Sequence, residues 1–62
     1  MKIIRQHKDD TKILFLMKEK KGPFNYVLTG HSKPDGLLML EHRAVRLEDA
    51  DRVFDAVLNV RN

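Results

Sequence analysis

Four residues, Lys33-Pro34-Asp35-Gly36, constrain this chain more than any others. Proline presets a turn dihedral and glycine accepts positive φ, so the backbone reverses here. Strand-like runs flank the turn, Phe24 to Ser32 before it and Leu37 to Leu47 after it. A connection this short cannot carry a crossover, so the two runs must be antiparallel neighbours. In the first run Phe24, Tyr26 and Leu28 share one face, and Asn25, Val27 and Thr29 share the other.

The same logic extends backwards. Lys20-Lys21-Gly22-Pro23 separates Phe24 from a run over Thr11 to Lys20, whose centre is Ile13-Leu14-Phe15-Leu16-Met17. Asp9-Asp10 is a turn pair of short acidic side chains that bond to nearby amides. Before it, Lys2 to Lys8 reads as a first strand carrying Ile3 and Ile4. After Leu47 the period changes, with Ala50, Val53, Phe54 and Val57 at i, i+3, i+4 and i+7, one stripe of a helix that Leu58 widens. Glu48, Asp49 and Asp51 oppose the positive end of its dipole and Arg61 the negative end. The expected helix therefore runs from about Glu48 to Arg61. The fold class is α+β, a four-stranded antiparallel β-meander followed by one C-terminal helix packed on one sheet face, in a single domain over residues 1–62.

Two runs are apolar on both sides of a strand, Ile13 to Met17 and Leu37 to Leu40. One helix covers one face only. A surplus of this size exceeds the apolar patch of most soluble monomers, and a second copy of the chain is its simplest cover. If the uncovered face includes Leu14, Leu16, Leu38 and Leu40, these form the dimer or partner interface, a narrow one because Lys12, Lys18, His42 and Arg46 lie on the same alternating faces. Sixty-two residues give a further motive for association, since a domain of about 60 residues buries only about 60% of its unfolded surface.

The chain has no cysteine, which excludes disulfides and thiolate metal sites and suggests a reducing, cytoplasmic setting. No apolar run approaches the roughly 20 residues of a membrane span, and the start MKIIRQHKDD has no signal-peptide core. No membrane partner and no cofactor are expected. His7, His31 and His42 are the only candidates for a metal site. If the turn pairs Ser32 with Leu37, His42 lies opposite Val27, about 13 Å along the sheet from His31, whereas zinc needs ligands about 2 Å from one centre. Surface or rim histidines are the simpler reading. Ser32, the only serine, has its neighbour His31 on the opposite strand face. Asp9-Asp10 reads as a turn and Glu48-Asp49 as helix-start electrostatics, and the three glycines form no phosphate loop. A non-enzymatic protein is expected.

Twelve Lys and Arg stand against nine Asp and Glu. Residues 1–46 hold ten basic and five acidic groups, and residues 47–62 hold two basic and four acidic. The expected sheet is thus basic and the helix acidic. Ordinary solvated charge accounts for such a bias. So does a nucleic-acid surface, in which Lys12, Lys18, Lys20, Lys21, Arg43 and Arg46 meet phosphates and Tyr26 offers a stacking face. Phe15 and Phe24 are the other stackers available on the strands.

The order of strands and helix, with RAVRLEDADRVFDAV as last strand, turn and helix, resembles the single-strand-DNA-binding domain of the eukaryotic transcriptional coactivator positive cofactor four. The resemblance is topological, covers most of the chain and includes no specific motif. It implies a dimer of four strands and a helix per chain. Two functions are therefore expected in competition. One is a homodimer binding single-stranded nucleic acid without sequence preference. The other is a protein-interaction module, such as a small regulator or inhibitor, docking a partner through its apolar sheet face or sheet edge.

Overall fold

The computed structural model describes residues 2–33 and 35–60. Four strands, β1 (Lys2–Lys8), β2 (Lys12–Lys21), β3 (Phe24–Ser32) and β4 (Leu38–Ala44), precede a helix, α1 (Leu47–Leu58). The strands form one antiparallel sheet in the order β1-β2-β3-β4. The expected ββββα meander is the observed fold. Gly22 and Gly36 hold φ of 59° and 73°, the left-handed region that the two hairpin turns require and that L side chains resist.

The last strand is shorter than its sequence pattern. β4 ends at Ala44 rather than Leu47, Val45 and Arg46 form a bend, and the helix begins at Leu47. Arg46 is the N-cap residue of α1, in an extended conformation, and its side chain makes no capping bond to the helix backbone. At the other end the Asn59 amide N–H and side-chain Nδ2 both donate to the Asp55 carbonyl, at 3.1 and 2.9 Å. Arg61 lies outside the described residues.

The register departs from the simple hairpin at one residue. Ser32 N–H donates to the Leu37 carbonyl (2.9 Å), closing the turn as its sequence implies. His31 then pairs with Leu38, but Gly30 pairs with Leu40, so Met39 is the extra residue of a β-bulge. From there on every partner is displaced by one. Val27 faces Arg43, Leu28 faces His42 and Tyr26 faces Ala44, where the uninterrupted hairpin would place His42 against Val27 and Arg43 against Tyr26. Because side chains alternate with period two, the slip changes which face each one occupies. It also accounts for four consecutive apolar residues. Leu38 points to one side of the sheet and Leu40 to the other, with the bulge between them.

Leu14, Leu16, Leu28 and Ala44 form the buried core with Ala50 and Phe54 of α1. Tyr26, Leu40, Val53, Val57 and Leu58 pack around them. Full burial of a leucine or phenylalanine contributes about 1.5–3 kcal/mol, so this small cluster is a principal source of stability. The site expected for a dimer is therefore corrected. Leu14 and Leu16 are 1% and 0% exposed, covered by the chain's own helix. Leu40 packs against the same cluster, and Leu38 alone of the four is exposed, on the opposite face.

A glycine makes the tight closure possible. A Cβ at Gly30 would lie 3.2 Å from Leu14 Cδ2 and 3.4 Å from Leu40 Cβ. The bare backbone lets two leucines meet across β3.

Candidate functional site: the open sheet face

The face turned away from α1 is built from three rows that cross the sheet. Ile3, Met17, Val27 and Arg43 form the first, Gln6, Phe15, Thr29 and Glu41 the second, and Lys8, Ile13, His31 and Leu38 the third. Val27 is 1% exposed although the helix lies on the other side. Its cover comes from neighbours on its own face, Met17 on one side and Arg43 on the other. Ile13, Phe15 and Met17 are half-buried, and Ile3 and Leu38 are exposed at the margins. The Phe15 and His31 rings meet edge-on, with centroids 6.3 Å apart and planes at 69°.

Arg43 is the principal charge on this face. Its Nη2 lies 3.8 Å from Glu19 Oε1 and 3.6 Å from Glu41 Oε1. Its Nη1 is buried without a hydrogen-bond partner. Two carboxylates thus share one guanidinium, and one negative charge is left over at that end of the face. Lys8 stands at the far end.

The expected nucleic-acid residues do not gather. Lys12 is 7% exposed, with Nζ 3.3 Å from Asp9 Oδ2, which removes it from any phosphate. Lys18 and Tyr26 face each other on the helix side, and Tyr26 packs against the core. Arg43 is on the opposite face. Lys20 and Lys21 are exposed at the end of β2, and Arg46 is exposed at the start of α1, 3.5 Å from Glu48. Phe15, rather than Tyr26, is the aromatic residue on the open face.

Asp9 organises the first turn. Its Oδ1 accepts from the Thr11 amide (2.7 Å), the Thr11 hydroxyl (2.9 Å) and the Lys12 amide (2.9 Å). Its Oδ2 lies 2.8 Å from His7 Nε2. The bond from His7, then those from Thr11, hold the carboxylate well below the usual range. This cluster ties β1 to β2 and reads as turn architecture.

Among the described residues no group of side chains has metal-ligand geometry, and no cleft encloses a reaction centre. None of the described helices is long and apolar enough to cross a membrane. No known family, no curated protein and no solved structure matches the chain. The class is a ββββα domain with one sheet face uncovered.

Alternation in β2 offered two sets, Leu14 with Leu16 or Ile13 with Phe15 and Met17. Each of the three ladders contains one register shift. A two-residue loop at Gly22-Pro23 continued without a shift would set Met17 against Leu28, whereas the observed ladder sets Leu16 there. Gly30 is the signal within the sequence that favours the observed set, since a strand glycine marks close approach from one side.

Proposed function

We propose that this chain is a non-enzymatic interaction module that binds another polypeptide on the sheet face opposite α1. The observation that carries the reading is a row of apolar side chains, Ile13, Phe15, Met17 and Val27, with no element among the described residues above it. The complementary partner is an apolar strip with a cation toward Glu19 and Glu41 and an acid toward Lys8. The charges along the face would then set its direction, while the apolar centre supplies affinity.

A second reading, single-stranded nucleic acid on the same face, draws support from the Phe15–His31 pair, a ring surface on which a base could stack. The two part company on salt. Phosphate binding weakens steeply as counterions are released, and an apolar interface hardly responds.

The test is capture from native-host lysate by wild type, Met17→Lys and the helix-surface control Arg52→Glu, with and without nuclease. A polypeptide retained by wild type and by Arg52→Glu, lost with Met17→Lys and indifferent to nuclease and moderate salt is the expected result. Capture that ignores Met17→Lys would overturn the reading. Loss on nuclease treatment would replace it with the second.

A further inference from the structure

Five of the eight large apolar residues that are exposed among those described lie along one sheet edge. Leu37, Leu38 and Met39 are 64%, 58% and 57% exposed at the start of β4, and Val45 and Leu47 are 49% and 37% exposed just past its end. β4 is an edge strand, and among the described residues no strand pairs with the row of N–H and C=O groups on its outer side. The opposite edge is blunted by a bulge at Ile4 and by lysines at both ends of β1. No such device interrupts β4 between Leu40 and Ala44.

We infer that two copies of this chain join edge to edge through β4, antiparallel about a two-fold axis at His42, into one continuous eight-stranded sheet. The regular part of β4, Leu40 to Ala44, has His42 at its midpoint, so this register uses the whole stretch. It also sets Glu41 of each copy opposite Arg43 of the other, and these two side chains share the open face. Opposite charges in direct cross-strand pairs stabilise, and like charges destabilise. An axis at Glu41 or at Arg43 would place that residue against itself. An axis at Leu40 would set Glu41 against Met39 and Arg43 against Leu37, leaving both charges unmatched. Only the axis at His42 matches both charges. The two-fold also brings Leu37 and Met39 of one copy toward Leu47 and Val45 of the other, and Leu38 toward the stem of Arg46, so each end of the seam covers apolar surface that a single copy exposes.

This pairing replaces the leucine interface expected from sequence, since Leu14 and Leu16 are already covered. It leaves the open face free and doubles its length, so it stands independently of the polypeptide-binding reading.

Two experiments test it. The chain has no cysteine, so His42→Cys places a single thiol on the axis. Under mild oxidation it should link two folded copies, and Thr29→Cys, on the open face, should not. Light scattering of the wild type should give about 15 kDa, twice the 7.3 kDa of one chain. Glu41→Arg and Arg43→Glu should each return to the mass of one chain. Mixed one to one they should form a heterodimer, because each charge then meets its opposite. A wild type that stays monomeric at millimolar concentration, linkage at position 29 rather than 42, or a mixture that stays monomeric would overturn the inference. Should Arg43→Glu fail to fold, the thiol linkage decides alone. Capture sensitive to Met17→Lys can survive any of these failures, which keeps this result separate from the proposed function.

Discussion

The guanidinium carbon of Arg5 stands 4.2 Å from the centroid of the Phe54 ring. The first strand and the helix are joined by this contact. Nη1 donates to Asp51 (3.2 Å) and Nη2 to Asp55 (3.1 Å), two carboxylates one helical turn apart. Arg5 therefore caps the ring that fills the centre of the core, and its fork fixes the helix over the sheet. Asp51, expected to serve the helix dipole, serves this clamp instead.

Arg5→Ala should lower stability by about 1–2 kcal/mol, the sum of a cation–π contact and partly exposed ion pairs. Arg5→Lys should recover less than half, since an ammonium cannot bridge two carboxylates in a fixed plane. Urea denaturation followed by far-ultraviolet circular dichroism measures both. Equal stability of the lysine variant and wild type would mean that the fork contributes nothing.

Gly30→Ala should be costlier than its single methyl suggests, about 1–3 kcal/mol. The added Cβ meets Leu14 and Leu40 in a packed core, and neither can retreat without disturbing Leu16 or Leu28. A melting temperature within error of wild type would show that the leucines repack freely.

Acid should weaken the first turn. The folded Asp9 carboxyl titrates below its unfolded value, so in the acid range the unfolded chain binds the extra proton. The stabilisation is present above the unfolded value of about pH 4 and is lost as pH falls through the folded value. Asp9→Asn should flatten the slope of stability against pH below about 4, relative to wild type. An unchanged slope would assign the acid sensitivity to other carboxylates.

Arg43→Met should hold or raise the stability of the monomer, and Arg43→Ala should lower it by about 1 kcal/mol or more. Methionine keeps a long apolar cover beside Val27 and removes a buried N–H that has no partner. Alanine uncovers Val27. Denaturation at low protein concentration separates this effect from association. The same loss for both variants would mean that the ion pairs to Glu19 and Glu41 matter more than the cover.

The elements were legible because turn chemistry and period are local. β1 and β3 begin and end where their patterns do, and the bond from Ser32 to Leu37 closes the hairpin of β3 and β4 with Gly36 at positive φ. The faces were barely legible, with Gly30 their one local mark. Whether Leu14 or Phe15 meets the helix depends on single-residue register shifts at Ile4, between Lys18 and Lys21, and at Met39. Nothing in the identity of those residues marks them, because a bulge is chosen by the packing of both strands together. The scattering of the cations follows from the same cause. Arg43 shares a face with Val27 rather than with Tyr26, since one extra residue precedes it.

The bulge at Met39 works as a phase buffer. Changes in the turn between Ser32 and Leu37 reach Met39 before they reach Leu40, and Met39 is the residue with no partner to lose. The ladder from Leu40 onward is set by its pairing with Gly30, Leu28 and Tyr26 rather than by the length of the turn. A peptide grafted between Asp35 and Gly36 should leave Leu40, His42 and Ala44 on the helix side, so the turn can lengthen without inverting the sheet.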